Sequence, residues 1–289
     1  MSTRNRLLFF LTAWLIVLMP FLFWWNTWFG RQLSDKQLAE YLQDEKHPRH
    51  TQHALVQIGE RMARHDASVT RWYPQLVRLA SSRVEEVRNT DAWVMGQGAT
   101  GNSGMGNGAM GNGAMGNDAA GAGFHEVLLK MLNDSSLMVR GNAALSLLRF
   151  GDATGRPQII ALLQPASVTA PQSGKVIDTS VVGTAIHQGG MVAKIENSGQ
   201  TTELRSPISG RLRMLSVKAG QTVAAGAEIA IVDPGTEQVW EALRALYLIG
   251  RVDDLPAVLP YECELPDIPD HVREQAVLTE KAIRERGKK

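Results

Sequence analysis

The sequence contains a single cysteine and carries almost no net charge, and each shortage excludes a class of protein. With only Cys263, no disulfide can form within the chain, and neither a Cys/His metal cluster nor a CxxC motif can be written. A formal net charge of +1 leaves no basic footprint for nucleic acid. A glycine-rich phosphate loop, an HExxH helix and a serine nucleophile elbow are also missing. We therefore expect a non-enzymatic protein without a cofactor, a small-molecule substrate or a nucleic-acid partner.

Charge is also missing from residues 7–29, a run of 23 residues near the N-terminus. At about 1.5 Å per residue, such a helix crosses a hydrocarbon core of about 30 Å. A cleavable signal peptide is the alternative, although no small-x-small cleavage site follows the run. We predict a retained single-pass anchor. Its characteristic residues are a proline and tryptophans, most of which favour the headgroup zone: Trp14, Pro20, Trp24, Trp25 and Trp28.

Positive charge on both sides of this run leaves the membrane orientation open by charge counting alone. Arg4 and Arg6 precede the run, whereas Arg31 and Lys36 follow it. A short basic tail ahead of a first apolar segment usually stays in the cytoplasm. We therefore expect residues 31–289 on the opposite side of the inner (cell) membrane, with the lipid bilayer as one partner.

Residues 168–232 contain an internal repeat. Short runs of β-branched residues are separated by glycines, a pattern that is typical of short strands and tight turns. Two pairs of landmarks lie 36 residues apart, Pro171 with Pro207 and Gly174 with Gly210. Three more lie 37 apart, Gly183 with Gly220, Ile186 with Val223 and Gly189 with Gly226. Two such halves can clasp and share one core, which allows about 65 residues to fold.

This stretch resembles the biotinyl/lipoyl-domain superfamily, whose members are flattened β-barrels of two clasped four-strand halves. In carrier members, a tight hairpin between the halves presents a lysine in a pattern like Glu-Ala-Met-Lys-Met. Counted without gaps from Gly183 to Pro207, that pattern falls on residues 196–200. Gly199 then occupies the lysine position, and glycine has no amine to form a biotinyl or lipoyl amide. Asn-Ser-Gly at 197–199 still suits a tight turn, because glycine tolerates positive φ.

Lys194 offers an alternative carrier position, since the residues around it also look like a carrier motif. That alignment moves the lysine five residues toward the N-terminus, and the other interpretation is a solvated strand residue. The superfamily also includes the lipoyl domains of periplasmic adaptor proteins, which implies a bacterial protein with its bulk in the periplasm. Such adaptors insert a long helical hairpin between the two halves, whereas only residues 197–202 lie at the join here.

Residues 34–163 predict a series of stacked helices. Ser34 is a candidate N-cap, and apolar residues follow it at helical spacing. Two stretches recur 52 residues apart: 73–79 matches 125–131, and Val87-Arg88 matches Val139-Arg140. This resembles HEAT-type repeats, in which neighbouring helical pairs bury one another's apolar faces. The resemblance implies that the arginine after the valine is a structural contact between repeats.

A third helical copy follows the β-rich stretch. Its landmarks at Ala242, Leu243, Leu246, Gly250 and Pro256 match residues 99 positions earlier. The β-rich domain is therefore predicted to be inserted in the HEAT-like solenoid. We assign 1–30 to the anchor, 31–163 to helical repeats, 164–235 to the lipoyl-like barrel and 236–289 to C-terminal helices and a tail.

Two sets of side chains could bind metals. Met105, Met110 and Met115 recur every five residues in a Gly/Asn/Met-rich tract at 96–123, and thioethers suit Cu(I). The tract is otherwise an expanded loop, because it cannot bury enough surface to offset its ordering entropy. His47, His50 and His53 recur every three residues and could share a helical face. The alternative for the histidines is an exposed polar segment with no metal.

The sequence as a whole predicts a multidomain α plus β protein, with a transmembrane helix, a HEAT-like α-solenoid and a flattened β-barrel. The expected function is a scaffold, adaptor or accessory subunit that docks other membrane or envelope proteins. A periplasmic adaptor of an efflux or secretion system is one alternative. A biotin or lipoate carrier subunit modified at Lys194 is the other.

Overall fold

The structure is a computed structural model that describes residues 12, 14–16, 18–19, 32–44, 46–99, 103–104, 109–110, 119–263 and 268–288. Its contacts divide the chain into two units, Met1–Gln57 and Ile58–Lys289. The fold mixes helices with β-sheets, as the sequence predicts.

Helix α1 of the first unit spans Asp35–Tyr41, and α2 begins at Pro48 and ends at Ala63. The predicted N-cap Ser34 is confirmed, because its hydroxyl accepts a hydrogen bond from the backbone N–H of Gln37. The Gln37 side chain accepts from the Ser34 N–H in return, which completes a capping box. The cap explains why the helix starts at this point in the chain.

The predicted membrane anchor falls largely outside the described residues. Thr12, Trp14–Ile16 and 18–19 are helical, but Pro20, Trp24, Trp25 and Trp28 are not among the residues that the structure describes. Among the described residues, no helix combines the length and the apolar character needed to cross a membrane. The anchor therefore stays a prediction.

The second unit contains a 3-10 helix at Ala67–Trp72 and a succession of α-helices before and after the sheets. The helices before the sheets are α3 Tyr73–Leu79, α4 Glu85–Gly96, α5 Ala119–Met131, α6 Leu137–Arg149 and α7 Arg156–Ala161. Those after them are α8 Thr236–Ile249, α9 Leu255–Val258 and α10 Asp270–Arg286. Helix α6 packs against α4, α5 and α7, and α8 packs against α10.

The 52-residue repeat reappears as a repeated hydrogen bond. Arg88 donates from Nη1 to the carbonyl of Ser82 at 2.8 Å, and Arg140 donates in the same way to the carbonyl of Asp134 at 2.6 Å. Arg88 also forms an ion pair with Asp134, with Nε 2.7 Å from Oδ2, and so joins one helical pair to the next. Arg88 therefore makes the implied contact between repeats, whereas the bond from Arg140 to Asp134 lies within one helical pair. The HEAT assignment itself stays a prediction.

The loop within the glycine-rich tract is shorter than the predicted range of 96–123. Helix α4 continues through Gly96, and α5 already begins at Ala119, so helix occupies both ends of the range 96–123. Between them, β1 (Ser103–Gly104) pairs antiparallel with β2 (Ala109–Met110). Met105 and Met115 lie outside the residues that the structure describes, and the copper prediction is untested.

Between α7 and α8 the chain forms two four-stranded antiparallel sheets, which we call the two-sheet domain. The strands are β3 Ala166–Thr169, β4 Gly174–Thr179, β5 Ala185–Ile186, β6 Met191–Asn197, β7 Gln200–Arg205, β8 Gly210–Leu215, β9 Thr222–Val223 and β10 Glu228–Pro234. One sheet has the order β3-β10-β8-β5 and the other β7-β6-β4-β9. Each sheet thus takes strands from both halves of the repeat. The two halves clasp as predicted, around a core that includes Val176, Ile195, Leu212 and Val232.

The 37-residue repeat is also a repeat of backbone conformation. Gly183 and Gly220 have φ of 89° and 92°, and Gly189 and Gly226 have φ of 74° and 79°. L-residues rarely adopt such values, so glycine is needed at the same turn of each half. The landmarks read from the sequence are therefore positions that the chain path requires.

The helices on either side of the two-sheet domain contact each other. Gln238 of α8 donates to the carbonyl of Leu162 at 2.8 Å, and the Tyr261 hydroxyl donates to that of Leu163 at 2.6 Å. Asp254, which is buried, binds Arg156 of α7 at 2.6 and 2.8 Å. These contacts bring the two ends of the domain together, as an inserted domain requires.

Candidate functional site

The turn between β6 and β7 is an exposed part of the two-sheet domain that carries a sequence prediction. Asn197 pairs with Gln200, which leaves Ser198 and Gly199 as the two turn residues. Their φ values are 51° and 78°. Positive φ at both central residues is typical of a type I′ hairpin turn. The prediction of positive φ at the glycine is confirmed, whereas the positive φ of Ser198 is a feature that the sequence argument missed.

The apex of this hairpin presents small, neutral groups to solvent. Ser198, Gly199 and Gln200 are all exposed. The Ser198 hydroxyl donates to Oδ1 of Asn197 at 3.0 Å. A Cβ placed on Gly199 would meet no atom within 4 Å, so the turn has open space around it. The apex therefore offers a hydroxyl and amides for contact with a partner, and no amine for covalent attachment.

Lys194 lies within β6, on the face of a sheet. Its register partners are Asp178 on β4 and Glu203 on β7. Its Nζ is 3.4 Å from a carboxylate oxygen of Glu203, and its side chain is 33% exposed. Arg205 binds the same carboxylate at 2.5 Å. Lys194 therefore has an acidic neighbour on each adjoining strand, and its amine does not extend from a turn.

The domain is attached to the helices at the end remote from this apex. Gln188, in the loop before β6, donates to Oε1 of Glu85 on α4 at 2.5 Å. Ser136, the N-cap of α6, donates to the same oxygen at 2.7 Å. Because Gln188 precedes β6 and Ser198 follows it, the attachment and the apex are separated by the seven residues of that strand, about 20 Å.

Apolar contacts strengthen this attachment, and a tyrosine binds the chain just before the domain begins. Leu137 and Met138, in the first turn of α6, pack against the core of the domain. The Tyr261 hydroxyl donates to the carbonyl of Leu163, just before β3. Burial raises the pKa of the Tyr261 hydroxyl to about 12, and the negative charge of Asp233 adds to this effect. The hydroxyl therefore keeps its proton and its role as donor at any physiological pH. These residues are not predictable from the sequence, because nothing in their local pattern indicates a long-range contact.

Comparison with known proteins identifies the domain. Residues 166–232 match the biotin/lipoyl family model, which is described as "Biotin-requiring enzyme". Residues 166–232 form a biotinyl/lipoyl-like domain. A segment of 66 residues is 42% identical to "Putative efflux system component YhbJ" of Bacillus subtilis (strain 168). That match covers 22% of this chain and 29% of the relative, so the likeness spans less than a third of either protein.

Two solved structures that contain a similar region are large carboxylases. They are a single-chain, multi-domain long-chain acyl-CoA carboxylase and the urea carboxylase of Kluyveromyces lactis. Each is 15% identical, and the TM-scores are 0.24 and 0.23. The matches cover 33% and 37% of this chain but only 10% and 9% of those chains, so they carry no argument about its function.

The biotinyl/lipoyl-like domain therefore has its hairpin turn at Ser198 and Gly199, where the resemblance places the lysine of carrier members. Lys194 is four residues before Ser198 along β6 and faces its strand neighbours. Its ion pair is partly exposed and contributes at most about 1 kcal/mol. Neither position combines a lysine with a turn.

The structure brings together two of the three predicted histidines and adds a residue that the sequence argument missed. His47 and His50 lie beside Asp44, with their Nδ1 atoms 3.0 and 2.8 Å from Asp44 Oδ2. The hydrogen bond from His50 lowers the pKa of the Asp44 carboxyl, and His47 adds to this effect while desolvation opposes it. His53 is hydrogen-bonded to Gln57 instead, at 3.0 Å. The expectation of one shared helical face was wrong, because His47 precedes the first residue of α2.

Asp91, in the middle of α4, is a buried carboxyl that the sequence does not single out. It is fully buried, and neither carboxylate oxygen has a hydrogen-bond partner among the described residues. Burial raises the pKa of Asp91 well above its ordinary value, and the positive charge of Arg78 opposes this only in part. A buried carboxyl in a helical core acts on stability and does not form part of the hairpin site.

Proposed function

We propose that this chain is a non-enzymatic adaptor or accessory subunit that docks proteins of a bacterial envelope complex. In this proposal its biotinyl/lipoyl-like domain is a docking module and not a swinging carrier. The observation that carries the proposal is the apex of the hairpin, where Ser198 and Gly199 stand in place of a lysine. Without an amine at the turn, the domain keeps the shape of a carrier but not its attachment chemistry.

The attachment of the domain supports docking over swinging. A carrier benefits from a mobile tether, because its arm must visit separate sites. A docking module benefits from a fixed base, because less freedom is lost when it binds. Contacts from Leu137, Met138 and Glu85 hold the domain at the end opposite the apex. This arrangement leaves the turn free to meet a partner.

The envelope location rests on the sequence and on one relative. The charge-free run at 7–29 supports a single-span anchor, with the rest of the chain in the periplasm. The efflux system component from Bacillus subtilis supports an adaptor function in transport. Helices α3–α10 would add a second, HEAT-like docking surface.

The anchor can be tested by fractionation of cells that produce the full chain. We expect the protein to remain in the membrane pellet after high-salt and carbonate washing. If the protein is released into the supernatant while it still begins with Met1, the anchor is contradicted. The same result would leave the docking function of the domain open, so the two parts of the proposal are separable.

A carrier function is the second candidate, because the matching family is described as "Biotin-requiring enzyme". Lys194 is the lysine that the alternative alignment selects. Intact-mass measurement of protein purified from its native membrane distinguishes the two functions. We expect the mass of the unmodified chain. An added biotinyl or lipoyl mass that disappears in Lys194→Arg would establish the carrier and overturn the docking proposal.

Docking at the apex is tested by placing the same charge at two exposed glutamines of the domain. Gln200→Arg alters the apex, while Gln221→Arg alters the loop before β9, outside the turn. Both variants, and the wild type, would be purified in mild detergent and their co-purifying proteins quantified by mass spectrometry. We expect Gln200→Arg to lose a stoichiometric partner that Gln221→Arg retains. Equal retention by both variants would contradict a docking site at the apex.

A further inference from the structure

A second group of chemistry-bearing side chains lies in the first unit, at the turn between α1 and α2. Asp44 lies in the turn, His47 directly precedes α2, and His50 is in the first turn of that helix. One ligand atom from each of the three lies within 4.8 Å of the others. We propose that Asp44, His47 and His50 bind one divalent transition-metal ion. This site is independent of the docking function proposed above.

The distances already approach those of a metal site. The Nδ1 atoms of His47 and His50 are 3.0 and 2.8 Å from the same oxygen of Asp44. Zinc binds imidazole nitrogen and carboxylate oxygen at about 2.0 to 2.2 Å, so neighbouring ligand atoms around tetrahedral zinc are about 3.3 Å apart. The three ligand atoms therefore already lie close to the spacing that a bound ion requires. The ion would replace the two hydrogen bonds to Asp44, and each imidazole would carry its proton on Nε2 instead.

Local hydrogen bonds fix the backbone that carries these donors. The Thr51 hydroxyl donates to the carbonyls of Tyr41 and Asp44, at 3.0 and 3.2 Å. The backbone N–H of His47 donates to Oδ1 of Asp44 at 3.2 Å, and that of His50 donates to the carbonyl of His47 at 2.8 Å. The turn and the start of α2 are thus tied together before any ion binds. Such preorganisation reduces the entropy lost on binding.

Ring stacking sets the orientation of one ligand. The His50 ring lies parallel to that of Tyr41, with centroids 4.5 Å apart and an interplanar angle of 12°. The stack holds Nδ1 of His50 toward Asp44. His53, by contrast, is engaged by Gln57 on the same helix. This contact explains why the carboxylate, and not the third histidine of the sequence pattern, completes the set.

The donor set selects the class of ion. Two imidazoles and a carboxylate suit zinc, copper(II) and nickel, whereas magnesium and calcium prefer oxygen ligands. The side chains of His47 and His50 are 65% and 41% exposed, so an ion can reach them from solvent. Three protein ligands leave at least one position open for water or for a side chain of a partner. The site would therefore bind an exchangeable ion at the junction of α1 and α2.

The test is a calorimetric titration of the full chain with Zn²⁺, in detergent, after treatment with a chelator. The purification tag must contain no histidines, and Cys263→Ser is used as the background because that thiol is exposed. We expect one Zn²⁺ per chain in this background. His47→Ala, His50→Ala and Asp44→Asn should each weaken binding by about tenfold or more, since each removes one of three ligands. His53→Ala is the matched control on the same helix and should bind as the background does.

The outcomes separate clearly. Loss of binding in the three ligand variants, with retention in His53→Ala and no competition from excess Mg²⁺, would support the site. Absence of stoichiometric Zn²⁺ binding in the background would overturn it, as would equal binding in all variants. His47→Ala is the variant least prone to a folding defect, because its side chain is the most exposed of the three. Circular dichroism of each variant, compared with the background, detects such a defect.

Discussion

The biotinyl/lipoyl-like domain and the helical region both contain an internal sequence repeat, but the copies of each repeat differ in different places. In the domain, β6 and β10 lie 37 residues apart and share buried positions. Strand β6 continues into the exposed turn, whereas β10 continues through Gly235 into α8. In the helices, Arg88 and Arg140 repeat one carbonyl contact, yet the buried Asp91 has Ala143 as its counterpart 52 residues later.

This contrast indicates what each divergence does. Equivalent ends of the two domain halves serve opposite purposes, because one turn is free and the other end is held against helices. The divergence in the helical repeat instead places an ionisable group in a core. The difference between the domain halves gives the domain one exposed end and one held end. The difference between the helical copies lowers the stability of the folded chain at neutral pH.

The largest effect is expected from a glycine that both halves share. A Cβ on Gly210 would overlap the carbonyl oxygen of Asp233 on β10, and its counterpart Gly174 would bring a Cβ within 2.7 Å of the Glu196 carbonyl. Gly210→Ala should reduce the free energy of unfolding by about 3 kcal/mol or more, because backbone must move. Gly199→Ala should cost about 1 kcal/mol, since only its positive φ is strained. Urea denaturation of both variants checks this, and equal losses would contradict the difference between the two sites.

The next effect removes the difference between the helical copies. Asp91→Ala installs the residue of the second copy, and it should raise the free energy of unfolding at pH 7.5 by about 1 to 3 kcal/mol. Because burial raises the pKa of Asp91 in the folded chain, the wild type gains stability as pH falls and loses it as pH rises toward that pKa. The benefit of the variant should therefore shrink at pH 4.5. Urea denaturation at both values tests this, with Glu86→Ala as an exposed control on α4.

Weakening the held end of the domain should give a smaller effect. Leu137→Ala combined with Met138→Ala removes apolar contacts with the domain core from the start of α6. We expect a loss of about 1 to 2 kcal/mol and faster proteolysis at the junctions near 164 and 235. The paired change Val77→Ala and Trp93→Ala, at exposed apolar residues elsewhere on the helices, is the control. Unchanged cleavage at the junctions would show that these contacts do not fix the domain.

The smallest effect concerns the strand lysine. Lys194→Arg keeps a positive charge near Glu203, so the free energy of unfolding should change by less than about 0.5 kcal/mol. Complementation should be unaffected as well, if the domain docks and does not carry a group. Failure of a stable, correctly inserted Lys194→Arg protein to complement would favour the carrier function.

The sequence predicted the two-sheet arrangement well because its repeat is tied to glycines that the chain path requires. Positive φ occurs at all four of these glycines, which are Gly183, Gly189, Gly220 and Gly226. A glycine required at a turn can be recognised from a single sequence, without an alignment. The loop bounds were less accurate, since α5 begins at Ala119 within an alanine- and glycine-rich stretch. Local composition there indicates a loop, while packing against neighbouring helices stabilises the helix.

The candidate sites were predicted only in part. The turn at Ser198 and Gly199 follows from local chemistry, so the sequence located it. The contact between Glu85 and Gln188 joins residues 103 positions apart and has no local signature. Spacing of three likewise suggested His53 as a ligand, but a turn before α2 placed Asp44 there instead.

The sequence by itself determined the path of the backbone through the domain and the chemistry of the domain's apex. Positive φ needs glycine, and a turn without lysine has no amine, so both conclusions depend on single residues. Tertiary structure alone decided which end of the domain is held, and that Asp91 lies in a core with no hydrogen-bond partner among the described residues. These features arise from side chains that are distant in sequence or on different turns of the backbone. Only the packing of complete elements brings such groups together or withdraws them from water.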